Sequence, residues 1–229
     1  MSSNLSNVAV VIPALNEEES LPHVLKAMPA VGAVFVVDNG STDATPVVAA
    51  KHNAEVLHQP NRGYGNACQV GITEAHRRGL SVVVILDGDH SFEPSEITKL
   101  VAPIVAGEAD MVLGDRTQTA EPGALLPQQR FGNWVATTLI RGITGHHYRD
   151  MGPFRAIRTT TLINMEMEDP NYGWNVEMQM KAVKMGFRVV EVPVQCRTRI
   201  AGESKVSGSV RGAIRCGAKM MLSTWRYAR

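Results

Sequence analysis

No stretch of the 229-residue chain holds the 18 or more consecutive apolar residues that cross a bilayer, so any membrane contact is expected to be peripheral. Cysteine is scarce. Cys68, Cys196 and Cys216 are odd in number, far apart and without a CxxC pair. That argues against a disulfide framework or a zinc site and fits a reducing compartment. The N-terminal "MSSNLSN" lacks both the basic start and the apolar core of a secretory signal, so a cytoplasmic protein is expected. Net charge is also lacking: 23 Lys and Arg against 22 Asp and Glu leave +1, and no global case for a nucleic-acid partner. The common nucleotide motifs are missing too. There is no GxxxxGK[ST], and in "RGYGNACQVG" Gly63 and Gly65 are followed by Gly71, too late for GxGxxG. No internal repeat or low-complexity tract is present.

What is there is an α/β pattern. Apolar runs alternate with helical periodicity over the first half of the chain, which predicts a mostly parallel sheet with crossover helices. Strands are predicted at residues 8–12, 34–37, 55–58, 82–86 and 111–114. Asn16 reads as an N-cap with Glu17, Glu18 and Glu19 in the first helical turn, followed by Leu21, Val24, Leu25 and Met28 on one face. Further helices are predicted over residues 66–78 and around Ile97, Leu100, Val101 and Ile104. The segment 116–130 is polar and carries proline and glycine, so it reads as a loop between subregions. Beyond it lie an apolar helix near residues 131–143, a short strand at 154–158, a helix from Trp174 closed by Gly186, and a strand at 187–194.

Ligands of open α/β sheets bind beyond the carboxyl ends of the strands. Pro13 to Glu17, Asp38 to Ser41, Asp87 to Asp89, and Asp115 with Arg116 all fall at such ends and should gather along one edge. The "LDGDH" stretch can be a turn. It can also be a seat for Mg²⁺ or Mn²⁺, which takes one or two carboxylates and completes its shell with phosphate oxygens and water.

"VVIPALNEEESLP", "VVDNGSTDAT", "ILDGDH" and "VLGDR", in this order, resemble the family 2 glycosyltransferases of GT-A fold. "RDMGPFRAIR", "YGWNVEMQMKA" and "VEVPVQCRTRIAGESKVSGS" are similar to the dolichyl-phosphate mannose and glucose synthase branch, so the likeness covers residues 8–210. It implies one GT-A domain over residues 1–229. Residues 8–115 would form the nucleotide-sugar half, 116–206 the acceptor half, and 207–229 a basic amphipathic segment. Pro13, Leu15 and Glu17 would line the nucleoside pocket and Asp38 would bind base or ribose. Asp87 and Asp89 would form the metal site with Ser91 at a neighbouring ligand position, and Gly88 would let the backbone pass close to the nucleotide. Arg116 would face the donor phosphates, and Arg199 with Lys205 would clamp the diphosphate. Departures are visible: Leu15 stands where many relatives have tyrosine, Ser91 where many mannosyl synthases have glutamine, and "DNGS" replaces DDGS, with Asn39 in second place.

The resemblance implies inversion by a single displacement. The donor would be UDP-glucose or GDP-mannose, the cofactor Mg²⁺ or Mn²⁺, and the acceptor a polyprenyl phosphate. A hydroxyl acceptor needs a general base, for which Asp150 and Glu177 are the candidates, whereas a phosphate acceptor is already ionised. Asp150 can instead shape an acceptor phosphate site with Arg155. Residues 205–229 carry Lys205, Arg211, Arg215, Lys219, Arg226 and Arg229 with no carboxylate, a composition suited to the inner face of an anionic membrane. The alternatives are a soluble or polysaccharide hydroxyl acceptor, a non-catalytic nucleotide-sugar binding module, and a nucleotidyltransferase. The last would carry a basic, glycine-rich signature where this chain has "PALNEEE".

Overall fold

The computed structural model describes residues 5–200. Lys205 and the basic segment 207–229 lie outside the described residues. Seven strands form one sheet in the order β3-β2-β1-β4-β6-β5-β7. They are β1 (Val8–Ala14), β2 (Ala33–Asp38), β3 (Glu55–His58), β4 (Val82–Ile85), β5 (Met111–Asp115), β6 (Arg155–Arg158) and β7 (Val189–Pro193). Strand β6 is antiparallel to both neighbours, and the other pairings are parallel. The expected mostly parallel α/β architecture is therefore the observed one. Because β6 inserts between β4 and β5, the strands on either side of the 116–130 segment belong to the same sheet.

The apolar runs form strands because both faces of the sheet are covered. Ala9 and Val11 point into a core with Ile72 of α3 (Tyr64–Arg77) and Met178 of α7 (Trp174–Lys184). Val8, Val10 and Ile12 point the other way, onto Leu21 of α1 (Leu21–Lys26) and Leu100 of α4 (Ile97–Val105). The alternation follows the two-residue period of a strand. The four periodic residues expected on α4 are all buried.

The first crossover corrects the expected helix start. Asn16 is not an N-cap: its φ is +53°, and the helix begins only at Leu21. The amide of Asn16 donates to Ser41 Oγ at 3.0 Å, and its Oδ1 accepts from the Thr42 amide at 2.8 Å. Glu18 Oε2 accepts from the Ala44 amide at 2.8 Å. Asn16 and Glu18 thus satisfy amides ahead of α2 (Thr45–Lys51), a long-range task that mimics a local helix signal. Short helices α2 and α6 (Thr159–Asn164) carry no comparable periodic signal and emerge only in the structure.

Helix α5 (Pro127–Thr144) starts inside the stretch expected to be loop. Pro127 opens it at a position where a missing N–H costs nothing, and Gly145 closes it in the left-handed conformation at φ +75°.

Candidate active site

Strands β1, β2, β4 and β5 point the same way, so the segments leaving their carboxyl ends lie along one edge of the sheet. There they frame a cleft of about 760 Å³, within the range of small-molecule sites. Pro13, Leu15 and Glu17 enter it from β1, Asp87, Gly88, Asp89 and Ser91 from β4, and Arg116 from β5. The first half of α5, Asn171, Tyr172 and Asn175, and Arg197 to Arg199 complete its lining. Residues 13 to 199 are thus drawn together by the sheet order.

Asp89 is buried and held at both oxygens. Its Oδ1 accepts from the Ser91 amide at 2.9 Å and Ser91 Oγ at 2.6 Å, and its Oδ2 pairs with Arg199 at 2.6 Å. Ser91 therefore orients Asp89 in this structure. Arg199 also lies 4.0 Å from Glu17 Oε1. Asp87 is different, since no described group donates a hydrogen bond to it. Enclosure in the cleft and the adjacent Asp89 carboxylate push its pKa up from 3.8 to about 7, against the pull of Arg199 and Arg116. A carboxyl raised in the folded state binds more protons folded than unfolded. Its contribution is present below about pH 4 and is lost as pH rises toward 7. Denaturant titrations in chelator should therefore show stability falling over that window, and Asp87→Asn should flatten the slope.

Among the described residues no group of three or more His, Cys, Asp or Glu forms a protein-only metal cage. The fit to a cation is of the other kind, two adjacent carboxylates facing a cleft large enough for a diphosphate. The turn between them is not held by Gly88, whose φ is not positive. The left-handed residue is His90 at φ +59°, and a Cβ on Gly88 would come no closer than 3.4 Å to Ile12. The Gly88 carbonyl instead accepts from Ser20 Oγ at 2.8 Å.

Arg116 and Asp150 form a bidentate pair at 2.7 and 2.8 Å, and the Arg116 amide adds a third bond to Asp150 Oδ2 at 2.9 Å. Despite desolvation, the pair holds the Asp150 carboxyl below the ordinary carboxylate range and the arginine above its own. With both oxygens committed to a permanent cation, Asp150 is a poor proton acceptor. It lines a smaller recess of about 190 Å³ beside the main cleft, together with Arg116, Arg130 and Asn133. Glu177 is placed still further from a base role. It is fully buried and absent from the cleft wall, and its oxygens accept from the amides of Glu168 and Asp169 at 2.7 Å each, with Lys181 at 2.8 Å. Both corrections have one cause: carboxylates buried by folding are matched to donors. Glu177→Gln should lower Tm, because an amide NH₂ would face N–H donors, yet retain turnover per folded molecule in a donor-transfer assay.

Asp38 sits at the end of β2, where its Oδ1 accepts from the Ser41 amide at 3.0 Å and its Oδ2 lies 3.5 Å from His58. Its neighbour Asn39, rather than Asp38, faces the cleft. Asn39 Nδ2 donates to the carbonyls of Gln59 and Asn61 at 3.0 Å each, and its Oδ1 accepts from the Gly63 amide at 2.7 Å. The asparagine in "DNGS" thereby pins the 59–63 loop. Asn39→Asp would turn a carboxylate toward two carbonyls and should cost on the order of 2–3 kcal/mol, seen as a lowered denaturant midpoint. Gly63 and Gly65 also find their reason here. A Cβ on either would meet a backbone carbonyl of Pro170 or Asp169 at 2.1 Å, so they admit the 169–170 backbone against the start of α3. His146 packs on Tyr148 at 4.4 Å between ring centroids, and Trp174 is buried in the core while Tyr172 faces the cleft.

This sheet order, with a carboxylate pair and arginines at the strand ends, is the GT-A arrangement of glycosyltransferases. The chain belongs to the Glycosyl transferase family 2, whose model matches residues 9–166. It is 41% identical over 208 residues to an uncharacterised glycosyltransferase of Mycobacterium tuberculosis, covering 90% of this chain and 93% of that one. It is 33% identical over 220 residues to an undecaprenyl-phosphate mannosyltransferase of Micrococcus luteus, covering 90% and 89%. Such relatives support the polyprenyl-phosphate sugar synthase branch. Glucosyl-3-phosphoglycerate synthase of M. tuberculosis, solved with Mn²⁺, UDP and phosphoglyceric acid, shares the fold with a TM-score of 0.77 at 19% identity, over 96% of this chain and 78% of that one.

Proposed function

We propose that this family 2 glycosyltransferase is a metal-dependent, inverting enzyme that moves a hexose from a UDP- or GDP-linked donor to a polyprenyl phosphate. One observation carries the choice of acceptor. The described carboxylates lining the cleft are Glu17, Asp87 and Asp89, all from the segments that leave β1 and β4, while the lining from α5 and from residues 171–175 and 197–199 offers arginine, asparagine and glutamine and no carboxylate. The two candidate bases are committed elsewhere, Asp150 to Arg116 and Glu177 to buried amides. A hydroxyl nucleophile would find no described base there. A phosphate needs none, since its second pKa near 6 leaves it largely ionised at neutral pH. The relationship to the undecaprenyl-phosphate enzyme points the same way.

Asp87 and Asp89 would hold Mg²⁺ or Mn²⁺, which when bound neutralises charge on the departing diphosphate. Pro13, Leu15 and Glu17 would line the nucleoside, with Asp38 supporting the turn beneath it. Ser91 would fix the Asp89 rotamer. Arg199, which pairs with Asp89 at 2.6 Å, would contact the diphosphate, joined by Lys205. Arg116, anchored by Asp150, would present a fixed positive charge to phosphate oxygens. Asp150 is then a positioning residue.

A thermal-shift panel of UDP, GDP and their hexose conjugates, with and without Mn²⁺, tests the donor. Ligand at one hundred times Kd stabilises by about 2.7 kcal/mol, so one base should raise Tm by several degrees only with the metal. Transfer of radiolabelled hexose to undecaprenyl phosphate is the expected second result. Label reaching only a soluble sugar, or no nucleotide-dependent shift at all, would overturn the proposal.

A further inference from the structure

Ser20 stands at the N-cap of α1, where a serine side chain ordinarily accepts from an amide of the helix it opens. It makes no such bond. Its side chain is buried, and the hydroxyl reaches across 68 positions to the Gly88 carbonyl at 2.8 Å. The same oxygen lies 2.8 Å from Glu17 Oε2. A helix start has gone without its local cap while its serine serves a distant turn, the kind of broken local rule that accompanies functional sites.

The turn it serves carries Asp87 and Asp89 on either side of Gly88, and contacts close around it. Glu17, held at Oε2 by Ser20, has its Oε1 4.0 Å from Arg199, and Arg199 pairs with Asp89 at 2.6 Å. Ser91 grips Asp89 from the far end of the turn. The segment leading into α1 packs on the turn as well, since a Cβ on Gly88 would lie 3.7 Å from Glu17 Cγ. Glu17, Asp89, Ser91 and Arg199 all line the cleft, whereas Ser20 does not. A hydroxyl has one hydrogen to donate, and Ser20 has two acceptors at 2.8 Å, the Gly88 carbonyl and the Glu17 carboxylate. It therefore bridges them, joining a carboxylate of the cleft wall to the backbone between the two aspartates.

We propose that Ser20 is a positioning residue for the metal seat. It fixes the peptide between Asp87 and Asp89, and with it the spacing of the two carboxylates, and keeps Glu17 beside them. The inference rests on the reading of Asp87 and Asp89 as ligands of Mg²⁺ or Mn²⁺. Ser20 itself touches neither cation nor donor. Removing a group that orients metal ligands commonly costs about 10–100-fold in metal affinity. Ser20 acts on the backbone between the ligands and not on a ligand oxygen, so the lower end of that range is expected.

The test titrates Mn²⁺ into the full chain, reading the free ion by electron paramagnetic resonance, with and without UDP or GDP. Ser20→Ala should weaken Mn²⁺ binding about tenfold. Losing a buried hydroxyl bond also lowers Tm, and Thr159 supplies the control. Its Oγ1 donates to the Leu80 carbonyl at 2.6 Å, and it is buried and absent from the cleft lining. Thr159→Val should lower Tm in chelator by a comparable amount and leave the Mn²⁺ dissociation constant at the wild-type value. Transfer by Ser20→Ala should recover toward the wild-type rate as Mn²⁺ is raised, which a loosened fold alone would not produce. Equal Mn²⁺ affinity in Ser20→Ala and wild type would overturn the proposal, as would an equal loss of affinity in Thr159→Val. If wild type binds no Mn²⁺ with or without nucleotide, the metal reading of Asp87 and Asp89 falls, and this inference with it.

Discussion

Asp89→Ala is expected to reduce transfer by about 10³-fold or more and to remove the Mn²⁺-dependent part of donor stabilisation. Asp89 is held in one rotamer by two bonds from Ser91 and pairs directly with Arg199 at 2.6 Å. Deleting the carboxylate removes a preorganised charge where the leaving diphosphate would sit. It also removes the carboxylate that Arg199 meets at 2.6 Å, leaving that of Glu17 at 4.0 Å. Nucleotide affinity in chelator should therefore hold or rise while turnover collapses. That split separates a metal ligand from a residue that merely shapes the pocket, for which affinity and turnover would fall together. Full activity of Asp89→Ala would sink the metal assignment. Asp87→Asn should give a smaller loss, because the amide keeps one ligating oxygen at that position whereas Asp89→Ala removes both.

The second large effect is on stability. Asp150→Ala should destabilise the protein by about 3–5 kcal/mol, the usual consequence of leaving one member of a buried ion pair uncompensated. For a chain of this size each kcal/mol moves Tm by about 2–4 °C, so a fall of roughly 6–20 °C is expected in calorimetry. The pair is well enclosed, with side-chain exposures of 17% for Arg116 and 1% for Asp150. Its pH dependence has the opposite sign to that of Asp87. A carboxyl depressed in the folded state contributes above its unfolded pKa near 3.9, and the contribution is lost as pH falls through the folded value. Wild type should therefore unfold in acid through this pair, and Asp150→Ala should show a shallower acid limb. Turnover of the variant should also fall, since Arg116 loses the carboxylate that aims it.

The local patterns were legible where one physical rule acts over a few neighbouring residues. Apolar runs gave β1 to β5, and the three- and four-residue spacing of Ile97, Leu100, Val101 and Ile104 gave α4, because burial on a regular element imposes its period on the sequence. Strand ends carrying Pro13, Asp38, Asp87 and Arg116 marked the edge where the cleft forms. Asn16 misled because an asparagine before three glutamates looks like a helix cap, while its partners are Ser41 and Thr42 in the next crossover. Glu177 and Asp150 looked like bases because a sequence shows which carboxylates exist and not which donors folding brings to them.

By itself, then, the sequence determined the family, the mostly parallel α/β sheet and the residues that leave its strand ends, since these follow from local pattern and order. Tertiary structure alone decided which charges are spent and which are open. Asp150 is neutralised by Arg116 from 34 positions away, Asp89 is met by Arg199 from 110 away, and Asn39 ties down the loop before α3. The reason is common to all of these: burial and pairing depend on what arrives from distant parts of the chain, and no spacing within a segment encodes the arrival.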